Sequence, residues 1–315
     1  MRRPGIKQQS GVALITALIV LAIATALAVA IGYDSALTAR RSVASISLEQ
    51  SVAIAQGAEA LAAYVLQEGK NDPADTPSGR WATPVLPLEV APDVTIEAQL
   101  IDETGKFNLN TLLDANGDPD KDAVMVFTRL LELSQVETHW AALLVDWLDQ
   151  DDRPAPEGGE DSLYTAQMPP YRPLNRPITS VSELEQLPGF GHERYLKLLP
   201  HVTALPPMAN TINVCTADGY VLDALNAVSV HNPNEVQYSK MEPEQLAMAR
   251  TGACFPPKSV LADEPKIKTR ISEKSQFFQL RTWVRIGFAE FALYSLMYRD
   301  SAGQVRPVMR TFGTE

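Results

Sequence analysis

The sequence predicts an α+β protein: one long N-terminal helix, partly membrane-spanning, laid on a sheet built from both ends of the chain, with a large mainly helical domain inserted between the two sets of strands. Three observations carry this reading. Residues Val12 to Ile31 form a run of 20 without a charge. Strand-like stretches occur near residues 94–110 and return after residue 277. The roughly 160 residues between them, Asp114 to Lys274, have helical periodicity and long loops.

At about 1.5 Å per residue, the apolar run spans the roughly 30 Å hydrocarbon core of a bilayer. Arg2, Arg3 and Lys7 precede it. The positive-inside rule then places the N-terminus in the cytoplasm and everything after Ile31 outside, in the periplasm of a bacterium. The alternative is a secretory signal cut near Ala28 to Ala30, but the apolar segment of such a signal is only about 7 to 15 residues. From Tyr33 to Gln67 there is no proline and one glycine, and Leu37, Ala44, Leu48, Val52, Ala55, Ala62 and Leu66 recur at steps of three, four or seven. One continuous helix of about 55 residues therefore leaves the membrane with an apolar stripe to bury.

The segment NDPADTPSGRWATP after Gly69 is a loop by composition. Strands follow at Val94–Ile101 and Lys106–Asn110, separated by the turn DETG. Helical periodicity appears in VMVFTRLLEL, THWAALLVDWL, SVSELEQL and ERYLKLLPHV, and INVCTADGYVLDAL opens another helix with Thr216 as N-cap. Strands return at Phe277, Phe288 and Val305. Paired into one sheet, the early and late strands leave the helical block as an insertion.

A balance of 27 Lys and Arg against 38 Asp and Glu gives a charge of -11, which disfavours nucleic acid as a partner. Cys215 and Cys254 are the only cysteines. In an oxidising compartment they read as one disulfide, the alternative being two buried thiols. No G-x-S-x-G, P-loop or H-E-x-x-H is present and the four histidines are scattered, so nothing points to an enzyme.

DWLDQDDRPAPEGGEDSLY places Asp146, Asp149, Asp151, Asp152, Glu157, Glu160 and Asp161 within sixteen positions, relieved by Arg153. Carboxylates this dense repel one another unless solvated or bridged by a hard cation, and an oxygen-rich loop suits calcium. The candidate ligands are Asp149, Asp151, Asp152, Glu157, Glu160 and Asp161; the alternative is a mobile acidic loop. It is no EF-hand, because Arg153 stands fifth from Asp149 and no glycine stands sixth. The run Asp114 to Asp122 reads as an acidic turn. SVSELEQLPGFGHERYLKLLPHV is a helix-hairpin-helix pattern centred on Leu187–Gly191. Such a hairpin can hold a DNA phosphate or serve as a packing unit, so a membrane-anchored DNA-binding module of an uptake apparatus is the alternative function.

SGVALITALIV, FNLNTLL, DWLDQDDRP…GGEDSLY, the hairpin block, INVCTAD and the closing strands together resemble the K minor pseudopilins of bacterial type II secretion systems. The resemblance implies a pilin-like fold, a long helix on an antiparallel sheet, carrying a helical insertion that binds calcium. It implies a pseudopilus tip protein without catalytic activity, partnered by the I and J minor pseudopilins, with the H pseudopilin linking the tip to the major pseudopilin, G. Gly11 and Val12 resemble a prepilin peptidase site, where a short basic leader is removed on the cytoplasmic side and the apolar helix remains as an inner-membrane anchor. The expected organisation is leader 1–11, membrane helix 12–31, pilin-like parts 32–113 and 275–315, and inserted domain 114–274.

Thr16, fifth after the proposed cut, stands where most subunits of pilus-like filaments resemble one another in carrying glutamate. A carboxylate in the bilayer is costly without a partner. A threonine hydroxyl needs none, because it can bond back to its own helix, which fits a first-entering tip subunit. Mass spectrometry of the membrane form should show residues 1–11 removed between Gly11 and Val12; a mature N-terminus near Ala30 would make this an ordinary secreted protein instead.

Overall fold

The computed structural model describes residues 10–226, 237–250, 253–257, 265–287 and 289–313. Leader residues 1–9, His231 and Phe288 lie outside them. Helix α1, Ser10–Glu68, runs unbroken for 59 residues, about 88 Å at 1.5 Å per residue. Strands β1 (Val85–Ala91) and β2 (Val94–Asp102) follow it. The chain then leaves the sheet and returns as β7 (Phe277–Ile286), β8 (Ala289–Arg299) and β9 (Val305–Phe312). These five pair antiparallel in the order β1-β2-β7-β8-β9. Nine consecutive pairs, Val94↔Ile286 through Asp102↔Phe278, join the early strands to the late ones. β1 was not legible as a strand, because Pro87 breaks its pattern; at the sheet edge a proline removes no ladder hydrogen bond.

α1 packs on one face of this sheet through Ala55, Ala62 and Leu66, which meet Phe278, Leu280, Val284, Leu293 and Met297. Alanines let helix and sheet approach closely. Between them Glu59, 4% exposed, accepts hydrogen bonds from Arg310 Nε and Nη2 at 2.8 and 2.7 Å and from the Ser295 hydroxyl. The longest strand, 11 residues, covers only about 37 Å of the helix. Ala44 and Leu48, expected to be buried in the stripe, instead face the end of the β7–β8 hairpin across an open cleft and are exposed.

The inserted domain contains β3 (Phe107–Asn108), α2 (Lys121–Leu133), α3 (Trp140–Leu148), α4 (Asp161–Thr165), α5 (Gly191–Leu198), β4 (Val202–Thr203), β5 (Ile212–Asn213), α6 (Gly219–Leu225), α7 (Pro243–Ala249) and β6 (Ile271–Ser272). Its hydrophobic core is one cluster running from Phe107, Leu109 and Leu112 through α2 and α3 to α6. The insertion thus begins near residue 103, not 114. The expected strand Lys106–Asn110 shrinks to two residues, because Asn108 and Asn110 turn inward. Asn108 Nδ2 donates to the carbonyls of Pro206 and Ala209, and Asn110 Nδ2 to those of Ile178 and Leu205. Asp218, not Thr216, caps α6, accepting from Val221 N at 2.9 Å. SVSELEQL tightens into a 3₁₀ turn, Val181–Gln186.

Sheet and insertion meet at a buried polar junction. Asp102, at the end of β2, accepts from Thr104 N (2.8 Å), Thr216 Oγ1 (2.5 Å), Asn213 Nδ2 (3.1 Å) and Ser275 Oγ (2.5 Å). Burial nevertheless pushes its carboxyl up, the four hydrogen bonds opposing. Beside it Asp75, 2% exposed, pairs with Arg299, whose guanidinium also donates to the carbonyls of Leu66 and Ser275. Thr216 is thus occupied as a junction donor.

Removing one member of a buried pair strands the other charge. Arg299→Ala should lower unfolding stability by about 3–5 kcal/mol, read as a fall in the urea midpoint. Arg285→Ala, which breaks the exposed pair with Glu290, should cost about 0–1 kcal/mol.

Candidate functional site

The acidic segment closes on itself because α3 ends where its carboxylates begin. Asp146 lies in the last turn of α3, Asp149 is its C-cap, and Glu160 is the residue before α4. The ten residues between Asp149 and Glu160 fold back so that one carboxylate oxygen from each of Asp146, Asp149 and Glu160 lies within 4.8 Å of the others. All three side chains are buried, at 1%, 6% and 7% exposure. Asp146 accepts from the backbone of Ala155, at 3.0 and 3.2 Å. Asp149 Oδ1 and Glu160 Oε1 have no hydrogen-bond partner among the described residues.

At both of its glycines the loop passes close to other side chains. A Cβ on Gly158 would stand 2.1 Å from Asp146 Oδ2, and one on Gly159 would stand 2.4 Å from Leu163 Cδ2. The floor is aromatic: Trp147, Tyr164 and Tyr171 pack with ring centroids 5.1 to 6.5 Å apart. Burial, and then repulsion from Asp151 and Asp146, pushes the Asp149 carboxyl up to about 6. Burial, followed by repulsion from Asp146, Asp149, Asp151 and Asp152, pushes Glu160 up to about 7. Burial also raises Asp146. Three buried carboxylates, two with unpartnered oxygens and no cation among them, form an all-oxygen donor set that fits a hard divalent ion.

Of the six carboxylates singled out from the sequence, Asp149 and Glu160 belong to this convergence. Asp151 and Asp152 are exposed beside it, and Asp151 Oδ1 accepts from Arg153 N at 2.7 Å. Glu157 is exposed and sits at φ 68°. Asp161 faces Arg172, at 3.3 Å. Asp146 was missed as a ligand, although its place three residues before Asp149 puts both on one helix side. The run from Asp114 is a structured turn, in which Asp114 Oδ1 accepts from Asn116 N and Asp118 N.

The helix-hairpin-helix unit is committed to packing. Leu187 and Phe190 are buried, and Trp140 meets Phe190 edge-on at 5.1 Å. Its cations are paired: Arg194 donates to Glu137 at 2.7 and 2.6 Å, and Lys197 lies 2.9 Å from Glu193. Arg194 holds the Glu137 carboxyl well below the usual range. Arginine and lysine so neutralised offer little to a phosphate backbone, so DNA binding is not favoured.

At the other end of the molecule, Val12 and Thr16 lie in the first turns of α1, and Thr16 Oγ1 donates back to Ala13 O at 3.0 Å and Val12 O at 3.1 Å. The apolar part of α1 has no burial against the rest of the chain. Cys215 and Cys254 are joined as a disulfide. Arg250 clamps the same place, donating to the carbonyls of Phe255, Val214 and Ala217. Burial lowers its guanidinium to about 10.

The family model for type II secretion system (T2SS), protein K matches residues 105–207. Type II secretion system protein K of Pseudomonas aeruginosa is 32% identical, over 97% of this chain and 93% of the relative. That of Klebsiella pneumoniae is 32% identical over 97% and 95%, and that of Pectobacterium carotovorum 29% over 97% and 97%. The fold is similar to a chain in the crystal structure of the GspK-GspI-GspJ complex from the enterotoxigenic Escherichia coli type 2 secretion system, with a TM-score of 0.69 and 24% identity, covering 87% of this chain and 100% of that one. With an anchor helix, a split antiparallel sheet and a helical insertion matched along nearly its whole length, the chain belongs to the type II secretion system protein K family, minor pseudopilins of that system.

Proposed function

We propose that this protein stands at the tip of the pseudopilus, anchored in the inner membrane by α1 with its head in the periplasm, and bound there to the I and J minor pseudopilins. The H pseudopilin would link this tip to the major pseudopilin, G, and prepilin peptidase would release the leader. The observation that carries the reading is the likeness of this fold to a chain solved in complex with I and J. Thr16, satisfied within its own helix, supports a position that asks for no charged neighbour ahead of it. The role is assembly and the promotion of protein export, without catalysis.

In the same reading Asp146, Asp149 and Glu160 hold a structural calcium ion. Bound there, calcium supplies the positive charge that these buried carboxylates lack. The protein's part is to hold the end of α3 against the start of α4, so that the loop between them keeps one shape on the head's surface.

Full-length protein co-expressed with I and J should be recovered from detergent as one ternary complex, and immunogold label on it should mark one filament end. Recovery without either partner, or label along the whole filament, would remove the tip assignment.

Asp149 and Glu160 bind their protons more tightly in the folded chain than in the unfolded one. Stability without metal should therefore rise as pH falls through about 7 and 6, the gain being complete near the ordinary carboxylate range. In chelator, the melting temperature should increase from about pH 8 to about pH 5.5. Calcium at the higher pH should raise it too and flatten the slope. Glu160→Gln should diminish both effects; a calcium-independent melt would refute the site.

A further inference from the structure

The segment that carries α1 out of the membrane holds two charges that the fold does not use. From Val12 to Ile31 the helix rises about 29 Å, so the two ends of this apolar run meet the two faces of the hydrocarbon. Tyr33, two residues beyond Ile31 and 73% exposed, falls in the interfacial layer where aromatic rings with a polar tip collect. Asp34 follows, and the next charges are Arg40 and Arg41. Both arginines are exposed, and neither joins an ion pair among the described residues. Arg40 borders the cleft below the β7–β8 hairpin, where Glu290 is already held by Arg285 at 2.7 Å.

Their height suits one kind of partner. The Cα atoms of Arg40 and Arg41 stand about 14 and 15 Å above Ile31, and the polar layer of a bilayer extends about 5 to 7 Å beyond the hydrocarbon on each side. Helical side chains lean toward the N-terminus, which here is toward the membrane. A long guanidinium side chain leaning that way comes down to the lipid phosphates, with its apolar stem along the helix. Adjacent residues project about 100° apart, so the two groups reach separate phosphates.

Charge distribution points the same way. Positive charge on the far side opposes the rule that orients the anchor. Arg2, Arg3 and Lys7 outweigh it at insertion, but all three lie in the leader. In a chain cut after Gly11, Arg40 and Arg41 are the first cationic side chains, and the next is Lys70. The chain as a whole, at -11, is repelled by an anionic surface. A carboxylate facing the pair would have to come from another protein, whereas phosphates surround this level of α1 before any assembly. We propose that Arg40 and Arg41 form a lipid-phosphate site, gripping anionic phospholipid headgroups in the periplasmic leaflet and setting how deep α1 sits.

The site rests on the preceding reading, in which α1 is an inner-membrane anchor with the head in the periplasm. Full-length processed chain with a fluorescent donor at Thr38→Cys would be placed in phosphatidylcholine vesicles holding trace acceptor on the acyl chain of either phosphatidylglycerol or phosphatidylcholine; Cys215 and Cys254 are already joined and take no label. Energy transfer should show the anionic lipid enriched about threefold or more around the donor, with the excess lost in Arg40→Gln/Arg41→Gln and reduced in about 0.5 M salt. The melting temperature of that variant should match the wild type, because neither side chain has a partner in the fold. Equal transfer to both lipids in the wild type, or an excess that persists in the variant, overturns the site while leaving the tip reading intact. No lipid preference, together with loss of I and J from the detergent-solubilised variant, would assign the pair to a partner's carboxylate and overturn it as well. If a membrane-impermeant thiol reagent reaches Thr38→Cys only from the cytoplasmic side, the site and the reading beneath it both fall.

Discussion

The architecture depends on the buried carboxylate of Asp102. It ends the last strand before the insertion, and its oxygens accept hydrogen bonds from Ser275, just before the first strand after it, and from Asn213 and Thr216 within it. A chain that leaves a sheet for more than 170 residues must be brought back in register. One buried carboxyl group satisfied by donors from each segment does this, because any slip leaves it unpaired in a low-dielectric interior. Asp75 and Arg299 extend the same network to the end of α1. Exit, return and helix end are thereby tied at one point.

The acidic loop follows the opposite logic. At the junction every polar group has a partner; around Asp146, Asp149 and Glu160 charge of one sign is collected and left short of donors. Gly158 lets the chain come this close to the Asp146 carboxylate, and Gly159 lets it come close to Leu163. A buried network that is half satisfied destabilises unless something completes it, and both proton and divalent cation can. The loop's shape is thus conditional, whereas the junction's is built in.

α1 solves a problem of unequal lengths. At about 88 Å it exceeds any strand it packs on, so only its last third is covered by the chain's own sheet. The remainder is bare of contacts with the rest of the chain, and its apolar part is long enough to cross a membrane.

Much of this was legible in the sequence. The unbroken helix followed from 20 apolar residues running into a stripe without proline, and the split sheet from strand patterns at both ends, because helix and strand periodicities are local properties. The density of carboxylates marked the acidic loop, but not which of them converge. Asp146 turned inward because the return of the loop to α4 depends on contacts of Trp147 and Tyr164. β1 escaped notice because a proline at a free edge costs nothing, and whether an edge is free is decided by strand order. Likewise the roles of Thr216 and the asparagines at 108 and 110 were invisible, since their partners lie about 70 to 114 residues away. The sequence by itself determined the long apolar helix, the late strands and the charge, which depend on neighbours within a turn or a strand. Tertiary structure alone decided the register, the convergent carboxylates and the uncovered side of α1, because each is a meeting of distant segments whose geometry only the packed core specifies.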